Sequence, residues 1–369
     1  MTEKTILLPD SEQKPEYTRD QKAKKPSVSI ITPAFNEAVI VVENLLVLSN
    51  YMQTLSEQYD WEIMVINDGS TDGTGAIADE FSRHHPNIRV IHHSENRNLG
   101  AALQTGFNKA SGDYVIVMDL DLTYSEHHIE AMLTKIRDSN ADMVIASPYM
   151  KGGKNTSVPF FRLMLSRVVN WLMQWMAPGK ISTFTGMVRA YKRSFLKKLN
   201  LKSTTYSINP EIIFKGQILR AKIVEIPAHL DWTRQNKFGK TRKSGIRIFN
   251  GIAGGLMSGF IFRPYIVFMT VGLIFLIVAF YIIAWIFIQT FQALPEIALE
   301  LGNIEDRFGM AVAKVFQERP YSFMVGGITL VVALQILGIG FLSLQNKRYF
   351  DELFHINTTL LKEKENQEK

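Results

Sequence analysis

Residues 265–288 and 320–346 contain no charged side chain. Each stretch is longer than the ~20 residues a helix needs to cross a bilayer. Core helices of soluble proteins rarely run so far without a charge, because one face meets water. A chain with two such stretches is expected to cross a membrane twice. Arg242, Lys243, Arg247 and Arg263 precede the first stretch, and Lys347 and Arg348 follow the second. Between them Glu296, Glu300, Glu305, Asp306 and Glu318 outweigh Arg307, Lys314 and Arg319. The positive-inside rule then places both termini in the cytoplasm and the connecting segment, 290–319, outside.

Everything ahead of the spans has a different character. Residues 1–25 are polar with no apolar run, which reads as a disordered basic lead-in (1–26) rather than a signal peptide. With no cysteine, disulfides and cysteine metal sites are excluded. The net charge of +6 suits anionic lipid or phosphorylated substrates, whereas nucleic acid is a poor match for a chain with two spans. Short β-branched runs at 28–32, 62–66, 88–92, 114–118 and 143–146 alternate with helical patterns at 37–55, about 74–83, 99–109 and 126–137. Such alternation predicts an α/β domain with a doubly wound, mostly parallel sheet and its strand-to-helix loops on one rim. Beyond 146 the expected order is a Gly/Lys loop at 148–159, a helix at 160–176, a strand at 185–191, a helix at 210–219 and a strand at 222–226. A basic, glycine-punctuated mobile loop at 233–245 comes next. An apolar stretch at 251–262, too short to span, reads as an interfacial helix. The resulting division is 27–245 for the α/β domain, 246–263 for the interfacial segment, 264–345 for the membrane domain and 346–369 for a charged cytoplasmic tail.

Chemistry concentrates at the carboxyl ends of the expected strands, where open α/β sheets bind ligands. Asp119 and Asp121 follow the fourth strand with one residue between them, a spacing that lets two carboxylates share a hard divalent cation against nucleotide phosphates. After the first strand comes Pro33-Ala34-Phe35-Asn36-Glu37, and after the second Asn67-Asp68-Gly69-Ser70. Asn36 and Asn67 suit helix N-caps. On a shared rim, Asp68 can also accept from a base N–H and Glu37 from ribose hydroxyls. Asn96-Arg97-Asn98-Leu99-Gly100 adds backbone donors at a helix start. Neither a Gly-x-Gly-x-x-Gly nor a Walker loop is present. The pairs His84-His85, His92-His93 and His127-His128 are poor metal sites, because adjacent side chains diverge on a strand or helix.

In order, Pro33-Ala-Phe-Asn-Glu37, Asn67-Asp-Gly-Ser-Thr-Asp-Gly73, Asn98-Leu-Gly-Ala101 and Met118-Asp-Leu-Asp121 resemble inverting glycosyltransferase family 2 with its GT-A fold. Segments 147–153, 185–193, 211–227 and 234–242, with Arg162 and Ser166, look like the polyprenyl-phosphate glycosyltransferases, a group including dolichyl-phosphate mannose synthases and bacterial undecaprenyl-phosphate glucosyltransferases. The resemblance spans about 27–245, and two C-terminal spans match the bacterial members, so a bacterial inner membrane is the expected location.

The resemblance implies inverting transfer of a hexose from a nucleotide-diphosphate sugar, of UDP-glucose or GDP-mannose type, to a polyprenyl phosphate. Pro33, Phe35, Glu37 and Asp68, with Asn98 and Gly100, would hold the nucleotide. Asp119 and Asp121, with Thr123 beside them, would hold Mg²⁺ or Mn²⁺; Thr123 stands where the mannose synthases carry a metal-binding Gln. Arg162 and Ser166 would hold the acceptor phosphate, with Lys151 or Lys154 substituting for an arginine that relatives carry at Pro148. Arg234 would reach the donor diphosphate or the acceptor. As a plainer reading, Arg162 and Arg167 reach lipid headgroups and Lys237, Lys240, Arg242 and Lys243 form a membrane anchor. A polysaccharide synthase using a hydroxyl acceptor and an inactive scaffold are the rival functions; the absence of Gln-x-x-Arg-Trp disfavours the first. The charged tail is a candidate contact for a homo-oligomer.

Overall fold

The computed structural model describes residues 25–177, 179–233, 260, 263–297 and 303–367. Most of the lead-in, Arg234, the basic loop and nearly all of the stretch read as an interfacial helix lie outside the described residues.

Strands β1 (Ser27–Ala34), β2 (Asp60–Asn67), β3 (Ile88–His92) and β4 (Tyr114–Val117) alternate with helices α1 (Val41–Thr54), α2 (Thr74–Arg83) and α3 (Leu99–Lys109). There follow α4 (His128–Asp138), β5 (Met143–Ser147), β6 (Lys154–Thr156), α5 (Phe160–Met176), β7 (Arg189–Lys192), α6 (Arg193–Leu196), α7 (Ile208–Ile218), β8 (Ile223–Pro227) and β9 (His229–Asp231). The main sheet has the order β3-β2-β1-β4-β7-β5-β8. Pairing is parallel except where β7 inserts antiparallel between β4 and β5.

Period-two alternation sends successive strand residues to opposite faces. Ile30, Ile63, Val65, Ile116 and Val144 meet one helix layer, where Leu45, Leu48, Met132 and Ile136 are buried. Ile31, Met64, Ile66, Val117 and Ile145 meet the other, with Leu103, Met173, Ile212 and Phe214. Each fully buried aliphatic side chain contributes about 1.5–3 kcal/mol, so the two layers fix the sheet between them. The expected mostly parallel α/β sheet is what forms.

Two features differ from the sequence reading. The strand expected from 185 begins at Arg189, because side chains claim the backbone before it: Asn170 Oδ1 accepts from the N–H of Phe184 (2.7 Å) and of Thr185 (3.3 Å). β6, within the stretch expected as a Gly/Lys loop, pairs with β9, for which no element was expected, in a small parallel sheet. They are three-residue strands, too short to carry a periodic signal.

After the domain, α8 (Pro264–Ile297) and α10 (Pro320–Gln367) flank α9 (Ile304–Glu318). Met269 lies by Gly340, Gly272 by Leu337 and Ile282 by Gly326, so α8 and α10 run antiparallel. Both expose apolar side chains along their length, including Phe280, Tyr281, Phe291, Ile328, Leu334 and Phe341. At about 1.5 Å per residue, 34 helical residues reach roughly 50 Å, enough to cross a bilayer. This is a membrane protein.

Candidate active site

The carboxyl ends of β1, β2 and β4 share a rim, since Ala34 is in register with Asn67 and Ile31 with Val117. The antiparallel β7 adds its beginning there, because Arg189 pairs with Val117 and with Ile145. The segment entering β7 therefore joins the strand-end loops. Glu225 of β8 accepts from the N–H of Ser182 (3.0 Å) and Thr183 (3.2 Å), while Ser147 Oγ meets Ser182 Oγ (2.6 Å) and Thr183 Oγ1 (2.7 Å). Burial raises the Glu225 carboxyl above its ordinary value, against those donors and the nearby Arg189 charge.

The loops after β1 and β2 are laced together. The Asn36 N–H donates to Ser70 Oγ (3.0 Å), Thr71 N–H to Asn36 Oδ1 (2.9 Å), Glu37 N–H to Thr74 Oγ1 (2.7 Å) and Ala38 N–H to Asp72 Oδ2 (3.1 Å). Burial acts to raise the Asp72 carboxyl, but hydrogen bonds from Thr74 and the Ala38 N–H hold it below its ordinary value. Asn36 and Asn67 cap no helix: the cap positions of α1 and α2 are Ile40 and Gly73. Asn36 takes the left-handed conformation (φ 56°) and Asn67 Oδ1 accepts from Ser70 N–H (3.2 Å). Glu37 and Asp68 are both buried, while Pro33 and Phe35 are partly exposed at the end of β1.

Asp68 is buried at the tip of β2. Its Oδ1 accepts from the Arg97 N–H (2.9 Å) and meets His93 Nδ1 (2.7 Å). Gly69 follows with φ 66°, and a Cβ there would stand 2.2 Å from the carbonyl carbon of Glu95, so only glycine lets the 93–97 segment approach. Of the residues read as a phosphate or base cradle, Asn98 is exposed with φ 70° and makes no side-chain cap bond. Gly100 faces inward instead: a Cβ would meet the Ser203 carbonyl at 2.3 Å, and the Ala101 N–H donates to Thr204 O (3.1 Å). The residue therefore seats α3 against 203–205. That segment is pinned by Glu211, which accepts from the N–H of Lys202 (2.9 Å) and Ser203 (2.8 Å) and pairs with Lys215 Nζ (2.6 Å).

Asp119 and Asp121 are partly exposed just past β4, with Leu120 and Leu122 buried between and after them. Leu122 takes φ 49°, and Thr123 N–H donates to Asp121 Oδ1 (3.1 Å). Asn44 Nδ2 holds the Leu120 carbonyl (2.9 Å). Thr123 itself is buried, and its carbonyl accepts from Asp231 N–H (2.8 Å). Tyr124 is also buried; desolvation, then the Asp119 charge, pushes its phenol far above the ordinary value. Among the described residues no three His, Asp or Glu side chains gather as a metal cluster. The donor set is thus a pair of hard carboxylates on one braced loop, a chemistry that suits Mg²⁺ or Mn²⁺ completed by phosphate and water oxygens.

Helix α5 carries Arg162 and Ser166. The Arg162 guanidinium sits over the Trp232 ring. Ser166 Oγ accepts from the Tyr149 hydroxyl (2.8 Å). A cavity of about 460 Å³ opens between the β5–β6 connection and α5, lined by Pro148, Tyr149, Asn155, Leu163 and Arg167 among others. Lys151 on that connection and Lys154 at the start of β6 lie exposed. Trp232 and His93 were missed as site residues, because their partners, Arg162 and Asp68, are distant in sequence.

A seven-stranded sheet of this order, with paired carboxylates after β4 and a laced loop pair at β1 and β2, defines a GT-A glycosyltransferase domain. The glycosyl transferase family 2 model matches residues 29–200. A polyprenol monophosphomannose synthase of Mycolicibacterium smegmatis is 30% identical over 226 residues, covering 59% of this chain and 82% of that protein. An undecaprenyl-phosphate mannosyltransferase of Micrococcus luteus is 28% identical over 59% of this chain and 88% of its own length. A dolichol-phosphate mannosyltransferase of Pyrococcus furiosus is 32% identical over 54% of this chain, which spans about half (55%) of that relative. The chain belongs to glycosyltransferase family 2. A solved mannosyltransferase from Pyrobaculum calidifontis in complex with GDP-Man and Mn²⁺ aligns with 90% of this chain and 85% of its own at 18% identity, with a TM-score of 0.46.

Proposed function

We propose that this glycosyltransferase moves a hexose from a nucleotide-diphosphate sugar to a polyprenyl phosphate at the cytoplasmic membrane face, with inversion at the anomeric carbon. The observation that carries the reading is that one domain combines nucleotide-type loops and the Asp119/Asp121 pair at the ends of β1, β2 and β4 with a cationic helix, α5, that exposes an apolar stripe. Helix α5 exposes Phe160 (80%), Phe161, Met164, Val168, Trp171 (64%) and Trp175 at helical spacing. A one-sided stripe with two tryptophans suits the interface of a bilayer. Arg162 on that helix would then meet a lipid headgroup while the lipid tail stays in the membrane. The names of the three relatives support a polyprenyl phosphate acceptor and favour mannose as the sugar.

In this reading Asp68 accepts from a base N–H, with Glu37 near the ribose. Asp119 and Asp121 would hold a divalent cation, which when bound offsets the charge of the leaving diphosphate. The acceptor phosphate is already anionic near neutral pH, so no strong general base is needed. Arg162 and Ser166 orient that phosphate, with Arg167, Lys151 and Lys154 adding positive field. Rate enhancement then rests on alignment and on charge complementarity. Basic flanks of the spans support cytoplasmic placement of the domain.

The test is transfer by the detergent-solubilised protein with Mn²⁺ or Mg²⁺, using radiolabelled GDP-mannose, UDP-glucose and their close analogues. A polyprenyl-phosphate hexose and equimolar nucleoside diphosphate are expected. Transfer only to a hydroxyl acceptor, or a polymeric product, would overturn the reading.

A further inference from the structure

We infer that His93 is a positioning residue for the carboxylate that reads the nucleoside base, an inference that rests on the donor reading above. β2 and β3 run parallel with Asn67 opposite His92, and the His93 N–H donates to the Asn67 carbonyl at 2.9 Å. Successive strand residues point to opposite faces, so the two histidines separate. His92 Nδ1 meets Asn67 Nδ2 (3.0 Å) and its Nε2 meets Asp79 (3.0 Å). His93 Nδ1 meets Asp68 Oδ1 (2.7 Å) and its Nε2 meets Thr105 Oγ1 (2.9 Å). Each histidine therefore braces one member of the consecutive Asn67-Asp68 pair.

The protons follow from the partners. An ionised carboxylate only accepts, so Nδ1 carries a proton, and in a neutral ring Nε2 accepts from the Thr105 hydroxyl. The side chains of His93 and Asp68 are 5% and 6% exposed, so this chain of hydrogen bonds is shielded from water. Oδ1 of Asp68 takes both His93 and the Arg97 N–H, while Oδ2 accepts no hydrogen bond from a described residue. The geometry locks the carboxylate plane and leaves one oxygen for a ligand. A base presenting a ring N–H, as uracil and guanine do, fits that oxygen. Adenine presents a bare ring nitrogen at the equivalent edge and does not.

Binding of UDP, GDP and ADP to the full-length protein in detergent with Mn²⁺, measured by calorimetry and by competition, tests this. His93→Ala is expected to weaken the preferred nucleotide about tenfold or more and to leave ADP within about twofold, which collapses base discrimination. The KM for the nucleotide sugar should rise by the same factor, with kcat and the KM for polyprenyl phosphate nearly unchanged. His93→Asn, whose amide nitrogen falls near Nδ1, should recover most of the affinity. Unchanged affinity in His93→Ala, or an equal loss for ADP, overturns the inference. If Asp68→Ala loses the nucleotide and His93→Ala keeps it, only this inference falls. If the wild type binds neither UDP nor GDP, the donor reading falls with it. Should His93→Ala fail to fold, Thr105→Val decides: a loss of about threefold confined to the preferred nucleotide supports the inference, and no loss overturns it.

Discussion

The guanidinium of Arg162 lies 4.3 Å from the centroid of the Trp232 ring. Trp232 directly follows β9, and that strand is gripped from two sides: Asp231 N–H donates to Thr123 O at 2.8 Å, and Trp232 N–H to Thr156 O at 3.1 Å. A three-residue strand thus joins the loop of Asp119 and Asp121 to the helix that carries the proposed acceptor site.

Removing the ring should loosen the arginine without removing its charge. A cation–π contact is worth about 0.5–2 kcal/mol, so Trp232→Leu is expected to raise the KM for polyprenyl phosphate by about 2- to 30-fold, with the nucleotide-sugar KM little changed. Arg162→Ala should raise the acceptor KM further. Steady-state kinetics with each substrate varied in turn checks both, and a larger effect on the donor would reassign Arg162 to the diphosphate.

Asp121→Ala should lower transfer at saturating Mn²⁺ by about 100-fold or more, the scale seen when a group that offsets developing charge is lost. The domain should stay folded, since Asp121 is partly exposed and lies outside the two buried layers of the sheet. Initial rates across a Mn²⁺ titration, beside a melting curve, measure this; near-normal turnover would remove the carboxylate pair from the mechanism.

Gly69→Ala would place a Cβ against the Glu95 backbone at a positive φ. The strain of a left-handed non-glycine residue is about 1–3 kcal/mol, and the backbone clash adds to it. We expect a lowered melting temperature together with weaker nucleoside diphosphate binding, because the displaced segment carries Arg97 and His93. A stable variant with normal affinity would contradict the close approach.

Glu211 supplies a pH test. Its side chain is 5% exposed and that of Lys215 10%. Burial acts to raise its pKa, but Lys215 and the N–H groups of Ser203 and Lys202 together hold it below the ordinary value. The unfolded chain therefore takes up the proton more readily, and stability is present above the ordinary carboxylate range near 4.5 and lost as pH falls through and below it. Glu211→Gln should cost about 3–5 kcal/mol at pH 7, as for one partner of a buried pair, and the gap to wild type should narrow at pH 4. Melting temperatures at both pH values give the answer.

Much of the site was legible because its placement follows from local pattern. A short apolar run bounded by Gly112-Asp113 sets β4, and any residue just past a parallel strand of this fold reaches the ligand rim; Asp119 and Asp121 could be located on that basis. Gly100 shows where such reasoning fails. Its helix-start position suited phosphate, yet it is consumed by packing against Ser203, more than a hundred residues later in the chain. For His92-His93, strand alternation separates the two rings but does not tell which partner each would find.

Short-range periodicity encodes the alternation of strands and helices, the two long apolar helices and the carboxylates at the end of β4. Folding adds that β7 runs antiparallel and brings its leading segment to the rim, that β9 ties Thr123 to Trp232, and that His93 rather than His92 meets Asp68. The reason is physical. Periodicity depends on residues within a few positions of one another, whereas the His93–Asp68 bond joins groups 25 residues apart and exists only in the register that the buried faces of β2 and β3 impose.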